Sequence, residues 1–260
     1  MNTLLYFSVV LIATALGAAT GMGGGVIIKP ALDLLGDYPA ETTAALSCAT
    51  VLTMSIVSVG RYVKAKIGLN FRLATSLAIG ALVGGNMGNE LLAYVARHQA
   101  DHQVKGVQNI VLAALLVLTF CYMLRKDNIK SLHLDGLASG CLTGLGLGVL
   151  SSFLGIGGGP INVAAITFLF SVPTSVAAAY SLATILFAQI GKMAVLLTGG
   201  EMHRLWVPVL PALLVAAILG GWIGASLHRK LSSHTLEVLF NAVQLLVFGI
   251  CIYNIVFYLL

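Results

Sequence analysis

The amino-acid sequence predicts an all-α polytopic membrane protein built from two homologous halves. Three observations carry this prediction: an apolar composition, two long apolar segments that glycine clusters interrupt, and a close match between the halves. Apolar residues make up 58% of the 260 residues and charged residues 9%, and the mean hydropathy is +0.98. Because a soluble domain carries roughly a quarter charged residues, we expect this chain to lie in lipid.

The first half is expected to contain one interrupted segment and three further membrane helices. The interrupted segment covers residues 4–35, and the cluster Gly21-Met22-Gly23-Gly24-Gly25 divides it. Four glycines in five positions weaken a helix, so one helix should end at the cluster and a shorter one should follow. The three spans are predicted at residues 40–60, 73–96 and 107–124, and each is long enough to cross most of a bilayer.

The second half repeats this arrangement. Its interrupted segment covers residues 137–170, and the cluster is Gly155-Ile156-Gly157-Gly158-Gly159-Pro160. Pro160 lacks an N–H group and has a fixed φ, which suits the first position of a new helix. The spans of this half are predicted at residues 174–198, 205–227 and 236–260.

The two halves align over some thirty residues without a gap. At an offset of 134 residues the glycines of the first cluster fall on those of the second, and Pro39 falls on Pro173. At an offset of 136, Gly84-Gly85 and Gly88 fall on Gly220-Gly221 and Gly224. We therefore predict one integral membrane domain made of a first repeat (1–125), a cytoplasmic linker (126–134) and a second repeat (135–260).

The relative orientation of the repeats depends on the interrupted segments. If each segment is a hairpin that enters the membrane and returns, each half crosses three times and the repeats are inverted. If each segment crosses fully, the repeats are parallel. The basic links at 61–72, 125–130 and 229–230 all lie in the cytoplasm under the inverted arrangement, which the positive-inside rule favours slightly.

Composition and motifs also exclude several classes of function. The net charge of +5 comes mainly from the loops, and this is typical of positive-inside anchoring rather than of nucleic-acid binding. The four cysteines form no CxxC pair, which argues against a disulfide framework or a zinc site. The sequence contains no recognisable catalytic set, so we expect neither an enzyme nor a metal or other cofactor.

Glycine clusters at membrane depth predict an anion-binding site. Non-helical backbone is tolerated there only inside protein or beside a cavity. A helix that begins after each cluster directs free N–H groups and about half a positive charge at the break. Without side chains, an anion can approach these amides, so the predicted binding residues are Gly23, Gly24, Gly25, Gly157, Gly158 and Gly159. The alternative is close helix packing, which we prefer for the GxxxG spacings elsewhere.

Polar side chains near the clusters extend this candidate site. Ser47 with Thr50 and Ser181 with Thr184 have i, i+3 spacing, which puts each pair on one helix face. Their hydroxyls could bind an anion or instead a carbonyl of their own helix. The Cys48 thiol is a weak candidate donor. Asn162 and Gln189 are intramembrane amides that could line the path or bridge helices.

Few charges lie inside the predicted spans. Lys29 lies four residues before Asp33, so an ion pair that reaches the membrane surface is expected there. Lys192 is expected to extend towards the surface in the same way. Glu90 is the best carboxylate for proton coupling, although it lies near the end of its span.

These motifs resemble the TauE/SafE family. The likeness covers nearly the whole chain and includes both glycine clusters, Pro30, Pro173 and the tracts 44–50 and 178–184. It implies a bacterial inner-membrane permease for sulfite, an organosulfonate or another sulfur-containing anion. One position departs from the symmetry of the halves, because Ala164 stands where the first half has Pro30.

The sequence therefore predicts a secondary transporter of small anions with alternating access. An anion channel and a membrane scaffold whose glycines only pack helices are the alternatives. The expected partners are a small anionic substrate and membrane lipid, without nucleic acid, and the sequence leaves open whether the chain forms a homodimer.

Overall fold

The computed structural model describes residues 3–65 and 70–259, and this part of the chain is helical without β-strands. Lys66, which belongs to the predicted basic link, lies outside the described residues. The helices are α1 (Thr3–Thr20), α2 (Gly25–Leu35), α3 (Ala40–Lys64), α4 (Phe71–His98), α5 (Asp101–Arg125), α6 (Leu137–Phe153), α7 (Pro160–Phe170), α8 (Thr174–Thr198), α9 (Leu210–Lys230) and α10 (Ser233–Leu259).

Six of these helices are long and apolar enough to cross a membrane, namely α1, α3, α5, α8, α9 and α10. α4 has 28 residues but is less apolar, because it carries Asn86, Asn89 and Glu90. α2, α6 and α7 are shorter. The chain is a multi-pass membrane protein, as its composition predicts.

The first interrupted segment forms a hairpin. The Tyr6 hydroxyl near the start of α1 donates a hydrogen bond to the Asp37 carboxylate just after α2. At the other end, the Gly23 amide donates to the carbonyl oxygen of Gly17 at 3.2 Å. α2 therefore runs back along α1 and ends on the side where α1 begins.

The second interrupted segment folds in the same way. Just before α6, the amide of Leu132 donates to the carbonyl of Phe168 at 3.0 Å. The amide of Leu134 donates to the carbonyl of Leu169 at 2.8 Å. Because Phe168 and Leu169 lie at the end of α7, this hairpin also returns to the side where it began.

The loops lie on two opposite faces. The terminal face carries the start of α1, the end of α10 and loops 36–39, 99–100 and 199–209; Ala40 N donates to Asp101 Oδ1 at 2.6 Å there. The basic face carries residues 126–136, 171–173 and 231–232, and Lys126 Nζ donates to the Thr174 hydroxyl at 3.1 Å there. α1 begins on the terminal face, whereas α6 begins on the basic face.

The two halves are interlocked rather than side by side. α1 packs against α9 of the second half, and the equivalent pair, α6 and α4, packs in the same manner. α3 contacts α8, and α5 contacts α10. Each helix of the first half therefore has its main partner in the second, so neither half has a complete core alone.

Glycines make the α1–α9 and α4–α6 crossings close. A β-carbon on Gly84 would overlap the carbonyl oxygen of Leu145, and one on Gly224 would overlap that of Ala15. The interpretation of the GxxxG spacings as packing sites is confirmed by these backbone contacts.

Two glycines of α6 test this packing. A β-carbon on Gly144 would overlap the Leu77 carbonyl of α4, whereas one on Gly146 has nothing within 4 Å. We expect Gly144→Ala to destabilise the fold by about 1–3 kcal/mol through overpacking. We expect Gly146→Ala to be neutral or to stabilise by up to about 1 kcal/mol through helix propensity. Denaturant unfolding in detergent measures both, and equal effects would contradict the close α4–α6 crossing.

Candidate functional site

The two glycine breaks, one from each half, lie against each other inside the protein. A β-carbon on Gly25 would overlap the carbonyl oxygen of Ile156, and one on Gly23 would lie 3.6 Å from the carbonyl oxygen of Gly157. A β-carbon on Gly159 would lie 3.8 Å from the Cγ2 atom of Val26. The first turns of α2 and α7 are therefore neighbours, although 134 residues separate them in the chain.

Both breaks start with the same backbone conformation. Gly21 has a φ of 78° and Gly155 one of 68°; two residues later, Gly23 has 73° and Gly157 has 66°. Residues with a β-carbon rarely adopt these angles, so glycine is needed at all four positions. The breaks differ afterwards, because Gly158 has a φ of 125° whereas the equivalent Gly24 is helical.

Several amides at the breaks point to no partner within the chain. Among the described residues, the amides of Gly155, Ile156 and Gly157 bond the end of α6. The amides of Gly25 and Gly158 take part in none of the hydrogen bonds found there. The first N–H groups of a helix lack intrahelical partners and carry the positive end of its dipole. Two such ends meet at the breaks.

Two equivalent side chains cover these amides. A β-carbon on Gly25 would lie 3.0 Å from Val51 Cγ2, and one on Gly23 would lie 2.8 Å from Ile185 Cδ1. Val51 and Ile185 are themselves 134 residues apart. All residues of both clusters are buried, so the structure holds the breaks closed to both faces.

The four predicted hydroxyls have different surroundings. Thr50 Oγ1 donates to the Leu46 carbonyl at 2.8 Å and Thr184 Oγ1 to the Tyr180 carbonyl at 2.9 Å, so both bond their own helices. Ser181 Oγ donates to the Gly21 carbonyl at 2.6 Å, which ties α8 to the first break. Ser47 Oγ is buried without a hydrogen-bond partner among the described residues.

Further hydrogen bonds hold the end of α1 beside the first break. The Nδ1 atom of His228 lies 2.7 Å from the Ala19 carbonyl oxygen, and the Tyr62 hydroxyl donates to the Ala18 carbonyl at 2.7 Å. The imidazole and the phenol ring also contact each other, with centroids 4.9 Å apart. Together with the Ser181 contact, these bonds satisfy the carbonyls with which α1 ends.

Polar atoms without partners collect around the second break instead. Both side-chain amide atoms of Gln189 and the Oδ1 atom of Asn162 are buried and unsatisfied among the described residues. A β-carbon on Gly157 would lie 2.7 Å from Gln189 Nε2, and one on Gly158 would lie 3.4 Å from Asn162 Nδ2. Unsatisfied buried amides are costly in a stable protein, so they point to a ligand or to water.

The predicted thiol lies at the edge of this cluster. Cys48 is buried, and its Sγ atom lies 3.7 Å from the carbonyl oxygen of Gln189. This contact uses the main chain of α8 and leaves the Gln189 amide group towards the break. Among the described residues, no group of three His, Cys, Asp or Glu side chains could hold a metal ion.

The two intramembrane lysines do not reach the surface, contrary to expectation. Lys29 pairs with Asp33 at 2.5 Å, as the spacing predicts, but its side chain is only 2% exposed. Lys192 is 1% exposed, and its ammonium lies 3.4 Å from the Ser152 carbonyl oxygen, three residues before Gly155. Both lysines are drawn inwards because polar main-chain and side-chain groups lie near the second break.

Sequence reasoning underrated Lys192. The available signal was its helical spacing: Ser181, Ile185, Gln189 and Lys192 follow intervals of three or four residues and therefore share one face of α8. Glu90, in contrast, is on the exposed side of α4, in a surface groove with Tyr94 and Arg97.

Comparison with known proteins agrees with this architecture. The family described as "Sulfite exporter TauE/SafE" matches residues 6–250. The chain is 26% identical over 271 residues to "Probable membrane transporter protein YunE" of Bacillus subtilis, which covers 95% of this chain and 96% of the relative. It is 25% identical over 241 residues to "Probable membrane transporter protein MJ0441" of Methanocaldococcus jannaschii, with 88% and 87% covered. No solved structure matches the chain significantly.

The hydroxyls of α8 test which contacts hold the first break. Ser181→Ala removes the donor to the Gly21 carbonyl, and we expect a loss of about 1–3 kcal/mol in unfolding free energy because that carbonyl stays buried. Thr184→Val keeps the shape and removes a bond within one helix turn, so a smaller loss is expected. Thermal unfolding in detergent compares the two, and a larger effect of Thr184→Val would contradict this role of Ser181.

Proposed function

This chain belongs to the sulfite exporter TauE/SafE family of membrane transporters, and we propose that it is a secondary transporter for a small sulfur-containing anion. Sulfite and organosulfonates are the proposed substrates. The observation that carries this proposal is the meeting of two helix N-termini, those of α2 and α7, at adjacent glycine breaks inside the protein.

The proposed site uses main-chain amides rather than a paired cation. An anion between the breaks would accept hydrogen bonds from the amides of Gly24, Gly25, Gly158 and Gly159 and gain from both helix dipoles. Gly23 and Gly157 supply the turns that aim these amides. This arrangement suits the tetrahedral or pyramidal oxygens of a sulfur oxyanion, which accept several donors at once.

Side chains on one side complete the proposed site. The unsatisfied amides of Asn162 and Gln189 and the hydroxyl of Ser47 are the nearest free donors. Because the Thr50 and Thr184 hydroxyls already bond their own helices, their proposed role is secondary. The proposed part of Glu90 in proton coupling would require communication through α4, since its carboxylate is exposed.

We propose that the halves are inverted repeats. Each hairpin returns to its starting face, so three helices of the first half, α3, α4 and α5, remain to cross the membrane. An odd number of crossings reverses the direction of the second half. The positive-inside rule then places the basic face, with Arg72, Lys126 and Arg229, in the bacterial cytoplasm and the chain in the inner membrane.

Transport by alternating access follows from the closed breaks. Val51 and Ile185 cover the amides from two sides, so either must move before an anion can bind. Since the two side chains occupy equivalent positions of opposed halves, movement of one would open the breaks to one face only. Rocking of the interlocked halves would supply this movement.

Flux in proteoliposomes tests the proposed function. A panel of sulfite, thiosulfate, sulfoacetate and simple carboxylates should show saturable transport that prefers the sulfur anions. Ohmic currents would instead identify an anion channel. The absence of flux for every anion, from a folded and inserted protein, would identify a scaffold and overturn the proposal.

A glycine at the second break gives a direct test of the site. Gly159 has an extended φ of 176°, so alanine fits its backbone, but the new methyl group would occupy space before the amides. We expect Gly159→Ala to weaken sulfite binding by roughly tenfold or more, because hydrogen bonds to a charged group are lost. Titration calorimetry measures the affinity, and Gly146→Ala on exposed α6 surface is the matched control.

A stronger variant at the next position should abolish binding. Gly158 has a φ of 125°, and its β-carbon would overlap Ile185. We expect Gly158→Val to insert into the membrane and elute as the wild type does on gel filtration, but to bind no sulfite. Wild-type affinity in both glycine variants would defeat the assignment of the site.

The Cys48 thiol is not expected to perform the transport. Its Sγ atom faces the Gln189 carbonyl, away from the amides that would hold the anion. We expect Cys48→Ala to retain sulfite and thiosulfate flux within about twofold. Loss of thiosulfate flux alone would show that the thiol takes part in the reaction with that substrate.

A further inference from the structure

We propose that Lys192 binds the anion in a passage between the terminal face and the second break, and that the Glu41–Arg204 ion pair closes this passage. The inference rests on the anion transport proposed above. It adds a charged binding group and a path that leads to the amides.

A small cavity connects Lys192 with the ion pair. Lys192 and Leu196 of α8 line one side, Glu41 of α3 and Arg204 line the other, and Asn89 of α4 contributes a polar group. The cavity has a volume of about 10 Å³, which is near the minimum for one water molecule. The passage is therefore closed to an oxyanion in this conformation.

The ion pair lies at the outer end of this cavity. Arg204 Nη2 is 2.7 Å from Glu41 Oε2, and the two side chains are 18% and 25% exposed. Both residues are at the terminal face, near the start of α3 and the end of loop 199–209. Separation of the pair would open the cavity to solvent and present the guanidinium to an incoming anion.

The inner end of the cavity reaches the second break. Lys192 Nζ lies 3.4 Å from the Ser152 carbonyl oxygen, and the Gly155 amide donates to the same oxygen at 3.1 Å. Gln189, almost one turn before Lys192 on α8, contacts Gly157. An anion on the Lys192 ammonium is thus one short step from Gln189 and the break.

Electrostatics favours this role for Lys192 over a structural one. A buried charge at membrane depth is costly, and such residues commonly mark an ion pathway. Lys29, the other buried lysine near this break, is held by Asp33 at 2.5 Å. The carboxylate nearest to the Lys192 cavity, that of Glu41, contacts Arg204 at 2.7 Å. A transported anion would therefore meet a positive field along the passage.

The duplication also singles out Lys192. Its equivalent in the first half, 134 residues earlier, is Ser58, whose hydroxyl bonds the Met54 carbonyl at 2.8 Å. Tyr62 and His228 lie beside that position and bond the end of α1. Only the second break thus has an approaching cation from α8, and the passage is a feature of one face.

Substitution of Lys192 tests its binding role. We expect Lys192→Met, which keeps the length of the side chain without its charge, to raise the sulfite dissociation constant by about tenfold or more. The melting temperature should stay equal or rise, because burial of a charge is no longer required. Lys192→Arg should restore at least part of the affinity. Lys64→Met removes an exposed lysine at the end of α3 and should leave binding unchanged.

The outcomes separate this inference from the proposed function. Sulfite binding that is lost in Gly159→Ala but intact in Lys192→Met would overturn the role of Lys192 alone. A wild-type protein that binds and transports no anion would overturn the proposed function. A large fall in melting temperature for Lys192→Met, without rescue by arginine, would show that Lys192 is structural.

Cysteine labelling tests the passage itself. Leu196→Cys is placed in a chain whose four native cysteines are alanines, and a membrane-impermeant methanethiosulfonate is applied to each face. We expect labelling from the terminal face, faster when Glu41→Gln weakens the ion pair and slower with sulfite. Glu237→Gln, which breaks the Lys126–Glu237 pair of the basic face, is the matched control. Labelling from the basic face only, or no effect of Glu41→Gln, would overturn the passage.

Discussion

The hydrogen-bonding requirement of main-chain groups in lipid governs this structure. Helices that stop halfway through a membrane leave amides and carbonyls that water cannot reach. Here, the two halves bury each other's breaks, and partners across the molecule satisfy part of the requirement. Ser181 of one half bonds Gly21 of the other, and His228 bonds Ala19. The amides that stay without partners are then concentrated where the two breaks meet.

Glycine has two separate uses in this chain. Along the α1–α9 and α4–α6 crossings it lets helices approach until a β-carbon would strike a carbonyl, as at Gly84 and Gly224. At the breaks it provides positive φ angles, as at Gly23 and Gly157. The first use makes rigid pairs of helices, and the second leaves bare amides between them. A transporter needs both, because rigid bodies must move around a site that stays intact.

Duplication created the architecture, and later divergence made the halves unequal. The first break is tied by hydrogen bonds to α8, α9 and α3. The second has Lys192, Gln189 and Asn162 beside it, with several polar atoms left unsatisfied. Ser58 and Lys192 occupy equivalent positions, so one substitution changed a hydroxyl that bonds its own helix into a buried cation. The common backbone provides the two helix ends, and the side chains of one half give that region its charge.

The sequence by itself determined the helical membrane class, the duplication and the position of both interruptions, because apolar composition and glycine spacing are local properties. It left open whether the hairpins return, and it placed the Lys192 ammonium near the surface instead of in the core. Only the tertiary structure decided that Gly25 lies against Ile156 and that Val51 and Ile185 cover the amides. These contacts join residues from different halves, and the packing that brings such distant residues together depends on the whole chain rather than on any local pattern.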